Sequence, residues 1–418
     1  MQGLVLLTVF FAALYLTSIG TGGVKSALLP FGAEQYDDDD DEERKQSFFS
    51  WFSAATNLGI FIAGTLVSWL QQNLAWALGF GVGTACLALA AAAFVAGTPW
   101  YRPAQVPPAG SPLRDVLRVL VAAFRKRRVH GAALVVLYDE QPDKDAAGGQ
   151  RLARTKGLRC LDKAAAFSTS DGPARGTFCA REVEAVKILV RMLPVWATCV
   201  LYAASMGQMT TTFIQQGMAM DTRLARGGSS FKVPAASLVC SSCCSTTPPS
   251  SRWPAGLTQL QRMGVGRFLA VLALGTAALV ERRRLRGAAR GEPPMSIAWQ
   301  LPQFLLVAGS DVFCGISQLE FFYGEAPAAM RSICSAFSFL APSLGYFVNS
   351  LVVTLVAALT GNPGWLPPDL NAGHLDYYFC LWTIISVANL LLYMLLASRY
   401  TPKQVQPNHS ANSGTSST

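Results

Sequence analysis

The stretch Gly20-Thr21-Gly22-Gly23-Val24-Lys25-Ser26, GTGGVKS, decides how the chain is read. Glycines followed by Lys and Ser suggest a phosphate-binding loop. That loop places Gly directly before the Lys, so that backbone N–H groups can wrap the phosphate, and it follows a short buried strand. Here Val24 stands before Lys25, and what precedes is Gly3 to Ile19, an uncharged apolar run longer than an ordinary strand. Such a run crosses a hydrocarbon core of about 30 Å as a helix. The question becomes why a lysine sits at the end of it.

Similar runs recur at roughly 3–24, 48–70, 77–98, 186–206, 264–281, 297–320, 333–358 and 377–398. The chain of 418 residues is 51% hydrophobic and 14% charged, against about 25% charged in soluble domains. A large soluble core would need polar faces on these segments, and they have almost none. The fold class is therefore an all-α polytopic membrane protein with about eight transmembrane helices.

The net charge of +9 resides in the connections. That is the positive-inside pattern rather than a nucleic-acid footprint. Most of the ten cysteines stand singly in apolar spans as small hydrophobes. Cys240, Cys243 and Cys244 cluster, but without the second doublet or the His of a zinc site. No metal and no cofactor is expected. His130, His374 and His409 all lie in connections, so no histidine is expected to relay protons inside the membrane. The first segment has no basic leader or small-residue cleavage site and is expected to stay as a span that also directs insertion.

Residues 1–98 carry three spans, and 99–185 form a basic connection. Residues 186–400 carry five spans with a poor stretch at 222–263, rich in Cys, Ser, Pro and Arg; the tail 401–418 is expected to be disordered. Within the connection, Gly110-Ser111-Pro112 suits a helix start. Leu113, Val116, Leu117, Leu120, Val121 and Phe124 then share one helical face, closed by Arg125 to Arg128. This basic amphipathic helix suits a membrane surface, the cytosolic ends of spans, or equally a small soluble subdomain. The acidic run Asp37 to Asp41 lacks the alternating ligands and turn glycine of a calcium loop and reads as a solvated connection.

A charge near the bilayer centre costs about 2.5–3.5 kcal/mol on insertion scales, so it usually faces a polar cavity. Lys25 is one such charge, preceded by glycines that would let a helix or ligand approach closely. Snorkelling to the cytosolic surface is the alternative. Asp311 and Glu320 lie on the sixth span and are expected on roughly one face. A cation and carboxylates on different spans suit a zwitterionic or anionic solute and a coupling proton. An enzyme is not expected: HExxH and GxSxG are both absent.

At these residues the chain resembles the proton-dependent oligopeptide transporter family of the major facilitator superfamily, in its plant nitrate/peptide branch. GTGGVKSALLPFGAEQYDDDDDEERKQSFFSWF is similar to its signature. GSPLRDVLRVLVAAFRK, LDKAAAF, VKILVRMLPVWAT, QMTTTFIQQG, LTQLQRMGVG, QLEFFYGEAPAAMRS and GWLPPDLNAGHLDYYF continue the likeness in order. The resemblance implies two six-helix bundles around a central site, with GTGGVKS on the family's fourth span. Lys25 would engage a substrate carboxylate or a partner glutamate, and Glu320 would answer the substrate's amino end; Asp311 and Gln208 are candidates for cavity lining or coupling. The implied function is proton-coupled symport of small peptides or nitrate across the plasma or vacuolar membrane, with protons, a small solute and the bilayer as partners and no nucleic acid.

The family's Glu-x-x-Glu-Arg motif is absent. Spans equivalent to its first, second, third and eighth are expected to be missing, which makes the fold an incomplete one. The alternative function is accordingly a non-transporting truncated or pseudogene product, and the chain as written is not expected to concentrate solute. Nitrate-binding relatives can carry a His in the seventh span, where this chain reads Ser205-Met206-Gly207; peptides fit the pair Lys25 and Glu320 better. A cytosolic tail is expected, with 222–263 forced into a poor crossing or re-entrant segment.

Overall fold

The computed structural model describes residues 2–36, 42–101, 112–125, 161, 180–221, 257–326, 330–361, 364–367 and 369–400. The acidic run, the Cys240–Cys244 cluster, most of the poor stretch and the tail lie outside them. The described residues are helical, with one isolated bridge between Asp221 and Ser296.

Uncharged apolar sequence forms helices here because, in lipid, a backbone N–H or C=O has no partner except within its own helix. The first is α1 (Gln2–Ala33), followed by α2 (Glu42–Ile62). A π-helical turn, Ala63–Val67, joins α2 to α3 (Ser68–Asn73), and α4 (Trp76–Ala96) completes the N-terminal group. Then come α5 (Pro112–Arg125), α6 (Ala180–Met206), a 3-10 turn at Gly207–Thr210 and α7 (Thr212–Met218). Next is α8 (Gln259–Ala289). The following span has two parts, α9 (Leu301–Asp311) and α10 (Ser317–Glu325), joined by a π-helical turn at Val312–Ile316. Last are α11 (Arg331–Thr360) and α12 (Leu375–Arg399).

Seven of these segments are long and apolar enough to cross a membrane. The span expected at 48–70 is the exception. Its regular apolar part is only Ser47–Ile62, and the π turn interrupts it before α3. The poor stretch expected to run to 263 ends earlier. Thr258 caps α8, accepting from the Gln261 N–H at 3.3 Å while the Gln261 side chain accepts from the Thr258 N–H at 3.0 Å. This reciprocal box satisfies two orphan donors of the first turn.

Cross-helix contacts fix the directions. Thr198 meets Arg267 and Gln216 meets Glu281, so α6–α7 and α8 run parallel. Trp196 bonds Phe337 and Gln208 bonds Asn349, so α11 runs the same way. Asn389 bonds Thr198 while Ser386 bonds Ser205, so α12 runs opposite to α6. Arg262 meets Glu320 and Gly266 meets Ser310, so α9–α10 also runs opposite to α8. Consecutive described spans α6 and α8 are thus parallel. Asp221 pairs beside Ser296, beyond the far end of α8, whereas Leu257 precedes its beginning.

Packing in the C-terminal group follows the logic of membranes, where lipid is as apolar as Leu and small residues let helices close up. Ala273 and Ala277 of α8 lie in one buried cluster with Tyr378, Phe379 and Trp382 of α12. A Cβ at Gly345 would stand 2.7 Å from the Ala204 nitrogen, and one at Gly266 would stand 2.7 Å from the Cys314 nitrogen. Backbone meets backbone at both points. In the N-terminal group the contrast is plain: apolar side chains from Val5 to Ile19 are exposed along α1. The N-terminal helices meet the rest through α1 against α11 and through a cluster of Ala33, Phe49 and Tyr323.

The amphipathic helix α5 docks on a span end. Val119 and Ala123 are buried with Leu161 against Val183, Val186 and other residues of α6. Leu117, Leu120, Val121 and Phe124 remain exposed. The helix therefore docks through Val119 and Ala123, which the expected face did not include. Of the described side chains on that face only Val116 packs partly on the protein, and Leu117, Leu120, Val121 and Phe124 are left to the surroundings.

Candidate functional site

Glu320 is 3% exposed, on the first turn after the π-helical segment. Its Oε2 accepts from Nη1 of Arg262 at 3.2 Å. Arg262 lies in the first turn of α8, and its Nε donates to the Leu257 carbonyl at 3.2 Å. The second carboxylate oxygen, Oε1, is buried with no hydrogen-bond partner among the described residues. A buried acid with one committed and one open oxygen can accept a substrate donor or a proton on the open oxygen while Oε2 keeps its hydrogen bond to Arg262; the proton also cancels the carboxylate charge and so weakens the pair.

Lys25 is on the exposed side of α1. Ala33, the last residue of that helix, packs with Tyr323 just after Glu320. From Lys25 to Ala33 the helix rises about 12 Å, against about 5 Å from Glu320 to Tyr323. The structure thus brings the same ends of the two helices together and leaves Lys25 the deeper of the two. The preceding Gly20, Gly22 and Gly23 have nothing within 4 Å of an added Cβ. The expected close approach occurs instead at Gly266 and Gly345.

Asp311 does not share the face of Glu320: it is exposed, whereas Glu320 is buried. Two and a half turns of regular helix put residues on opposite sides, and the π turn at Val312–Ile316 changes the register further. Gln208 is fully buried in the 3-10 turn that interrupts the α6–α7 span. Its Nε2 donates to Asn349 Oδ1 at 2.7 Å, and its Oε1 accepts from Thr212 Oγ1 at 2.8 Å; Tyr378 OH donates to the same Asn349 oxygen at 3.2 Å. Both functional groups of Gln208 are engaged, so it acts as a junction between α6, α11 and α12. Ser205, in the Ser205-Met206-Gly207 stretch considered for a His, bonds Ser386 Oγ at 2.8 Å.

Three buried cations on α8 escaped the sequence reading, although the recognised block LTQLQRMGVG contains Arg262 and ends one residue before Arg267. Arg262 is one. Arg267 is 2% exposed and pairs with no carboxylate among the described residues. Its guanidinium lies 3.7 Å from the Tyr393 ring centroid and 5.5 Å from that of Tyr202, and Nη2 donates to Thr198 Oγ1 at 3.3 Å. Two aromatic faces stand in for a counter-ion. Arg284 is the third, bonded to buried Glu281 through Nε and Nη2 and to Asn371 through Nη1. Gln216 donates to Glu281 at 2.9 Å and accepts from Gln300 and Gln303, each at 3.0 Å. The network closes the far end of the group by joining α7, α8, α9 and the connection before α12. Arg284 and Glu281 are three apart on one helix, but the other partners lie across helices, and partner identity there has no sequence period, which is why those pairings were not legible.

No group of three metal-ligating side chains occurs among the described residues.

The sequence profile described as PTR2, POT family, matches residues 3–366. Protein NRT1/PTR FAMILY 8.5 of Arabidopsis thaliana is 41% identical, over 95% of this chain and 70% of that protein. Protein NRT1/PTR FAMILY 8.3 of the same plant is 39% identical, over 94% of this chain and 72% of that protein. Among solved structures, an autoinhibited POT family peptide transporter aligns with a TM-score of 0.63 at 21% identity, covering 96% of this chain and 79% of its own. The POT family transporter PepTSo aligns at 0.61 and 19% identity, covering 93% and 78%. At those identities the two structures attest the fold.

Proposed function

The chain belongs to the POT family, and from that membership we propose that it serves proton-coupled symport of a small peptide, with nitrate as the competing solute. It is a multi-pass membrane transporter and not an enzyme. The observation that carries the reading is the buried Glu320, held by Arg262 with one oxygen open. Glu320 answers the amino end of the substrate or takes the coupling proton, and Lys25 answers its carboxylate. Symport uses such a site because binding of either ligand changes the charge balance that holds two helices together. No cofactor beyond the proton enters this scheme, and the membrane is the plasma or the vacuolar one.

A second reading, a non-transporting member of the family, has one observation in its favour. Lys25 stands on an exposed face of α1, so that side of the site is open among the described residues. Uptake separates the readings. Oocytes expressing the chain are given labelled dipeptide or nitrate at acidic and neutral external pH. Accumulation that rises with acidity and is lost in Glu320→Gln supports symport; uptake equal to that of uninjected cells supports the second reading.

A further inference from the structure

We propose that the far end of α8 carries a phospholipid-headgroup site built on Arg283 and Arg286, with Trp299 as its aromatic support. The buried residues of α8, among them Met263, Ala270, Ala277, Glu281 and Arg284, occupy one side of the helix. The opposite side exposes Val265, Phe268, Leu272 and Leu279, spaced at three, four and seven residues, so this is the stripe that meets lipid tails. At a helical pitch of 3.6 residues, Arg283 and Arg286 continue the same stripe, and both are exposed.

The stripe thus changes from hydrocarbon to guanidinium within about one turn, which places the change at the bilayer's phosphate layer. Aromatic geometry agrees. The Arg283 guanidinium lies 4.2 Å from the ring centroid of Trp299, a residue type that settles at this boundary. Leu301 and Leu305, exposed on the adjoining α9, extend the apolar approach beneath it.

The charge there is not neutralised from within. Arg290, one turn further on, pairs with Glu292 at 3.7 Å, and Arg284 is turned inward to Glu281. Arg283 and Arg286 make no ion pair among the described residues, and neighbouring Arg282 adds a third exposed guanidinium. Residues three apart on a helix stand side by side. Two forked donors are therefore presented together to a phosphodiester, which arginine grips bidentately. The occupant is a phospholipid, because the apolar stripe leads into the guanidiniums and a free anion would leave that stripe unused.

The test is native mass spectrometry of the full chain released from nanodiscs of equal phosphatidylglycerol and phosphatidylcholine. The wild-type chain is expected to retain phosphatidylglycerol preferentially. The preference should fall about fivefold for each guanidinium removed in Arg283→Gln and Arg286→Gln. Arg44→Gln with Arg399→Gln, at the opposite end of the helices, is the control and should leave it unchanged. An unchanged preference in the Arg283→Gln/Arg286→Gln double variant overturns the proposal, as does an equal fall in the control. Inorganic phosphate is the last arm: if millimolar phosphate displaces the retained lipid, the site takes the free anion and the lipid assignment fails.

Discussion

Nη1 of Arg262 stands 3.2 Å from Oε2 of Glu320, tying the beginning of α8 to α10. Both side chains are nearly excluded from solvent, so the pair is held by mutual need. Each charge, left alone at that depth, faces a desolvation penalty that no water relieves.

Removing one partner should therefore cost more than removing both. Arg262→Ala is expected to destabilise by about 3–5 kcal/mol, the usual consequence of an orphaned buried charge. The double variant Arg262→Met/Glu320→Leu should unfold nearer the wild-type temperature in detergent, yet fail to transport. A double variant less stable than Arg262→Ala would mean that the pair is not the unit that matters here.

Lys25 gives a separate functional prediction. Its exposed side chain contributes nothing measurable to packing, so Lys25→Ala should leave the unfolding temperature and membrane level unchanged. In a transport-competent background, uptake should fall to the level of Glu320→Gln. Near-normal uptake would assign Lys25 to snorkelling at the membrane surface.

Arg267 separates charge from volume. Its guanidinium is buried between two tyrosine rings without a carboxylate partner. Arg267→Met keeps most of the volume and removes the desolvated charge, so its unfolding temperature should match or exceed that of the wild type. Arg267→Ala leaves a cavity and should fall below it. If Met were as damaging as Ala, the cation–π contacts would be the larger contribution.

Glycine substitutions should divide by location. Gly345→Ala forces a Cβ to 2.7 Å from the backbone nitrogen of Ala204, which a side-chain shift cannot relieve. A loss of about 1–3 kcal/mol follows. Gly22→Ala meets nothing within 4 Å and should be silent or slightly stabilising through its better helix propensity. Thermal unfolding of the two variants side by side checks both halves.

Helix direction predicts sidedness. The α4 end at Thr98 reaches Tyr101, which packs on Phe31 near the end of α1; Tyr400, just past α12, bonds Glu325 at the end of α10. These ends lie together with the basic α5 and Arg399, while the connection 359–376 at the other end has no Lys or Arg; on that balance, and against the arginines at the end of α8, these ends are assigned to the cytosol. In a background lacking native cysteines, Thr98→Cys and Ser398→Cys should be shielded from an impermeant maleimide outside intact cells. Glu292→Cys, after α8, should react. Labelling of Ser398→Cys from outside would reverse the assignment.

Composition and unbroken apolar runs were enough to read a polytopic helical membrane protein, because lipid leaves the backbone no alternative to the helix. Local chemistry also marked Lys25 and Glu320 as costly charges, since expense inside a membrane is a property of the residue itself. What surrounds them was not local. That Glu320 answers Arg262, that Gln208 is consumed by Asn349 and Thr212, and that Arg267 rests on Tyr393 all depend on which helices lie side by side and in which direction. Residues far apart in sequence meet there, and no periodicity along one helix encodes its neighbour. The separation of Asp311 from Glu320, by contrast, follows from spacing alone: nine residues are two and a half helical turns, which puts them on opposite sides, and the π turn between them only alters that angle. Hydropathy fixed that these helices exist; their packing decided which polar groups are spent on one another and which remain for a substrate.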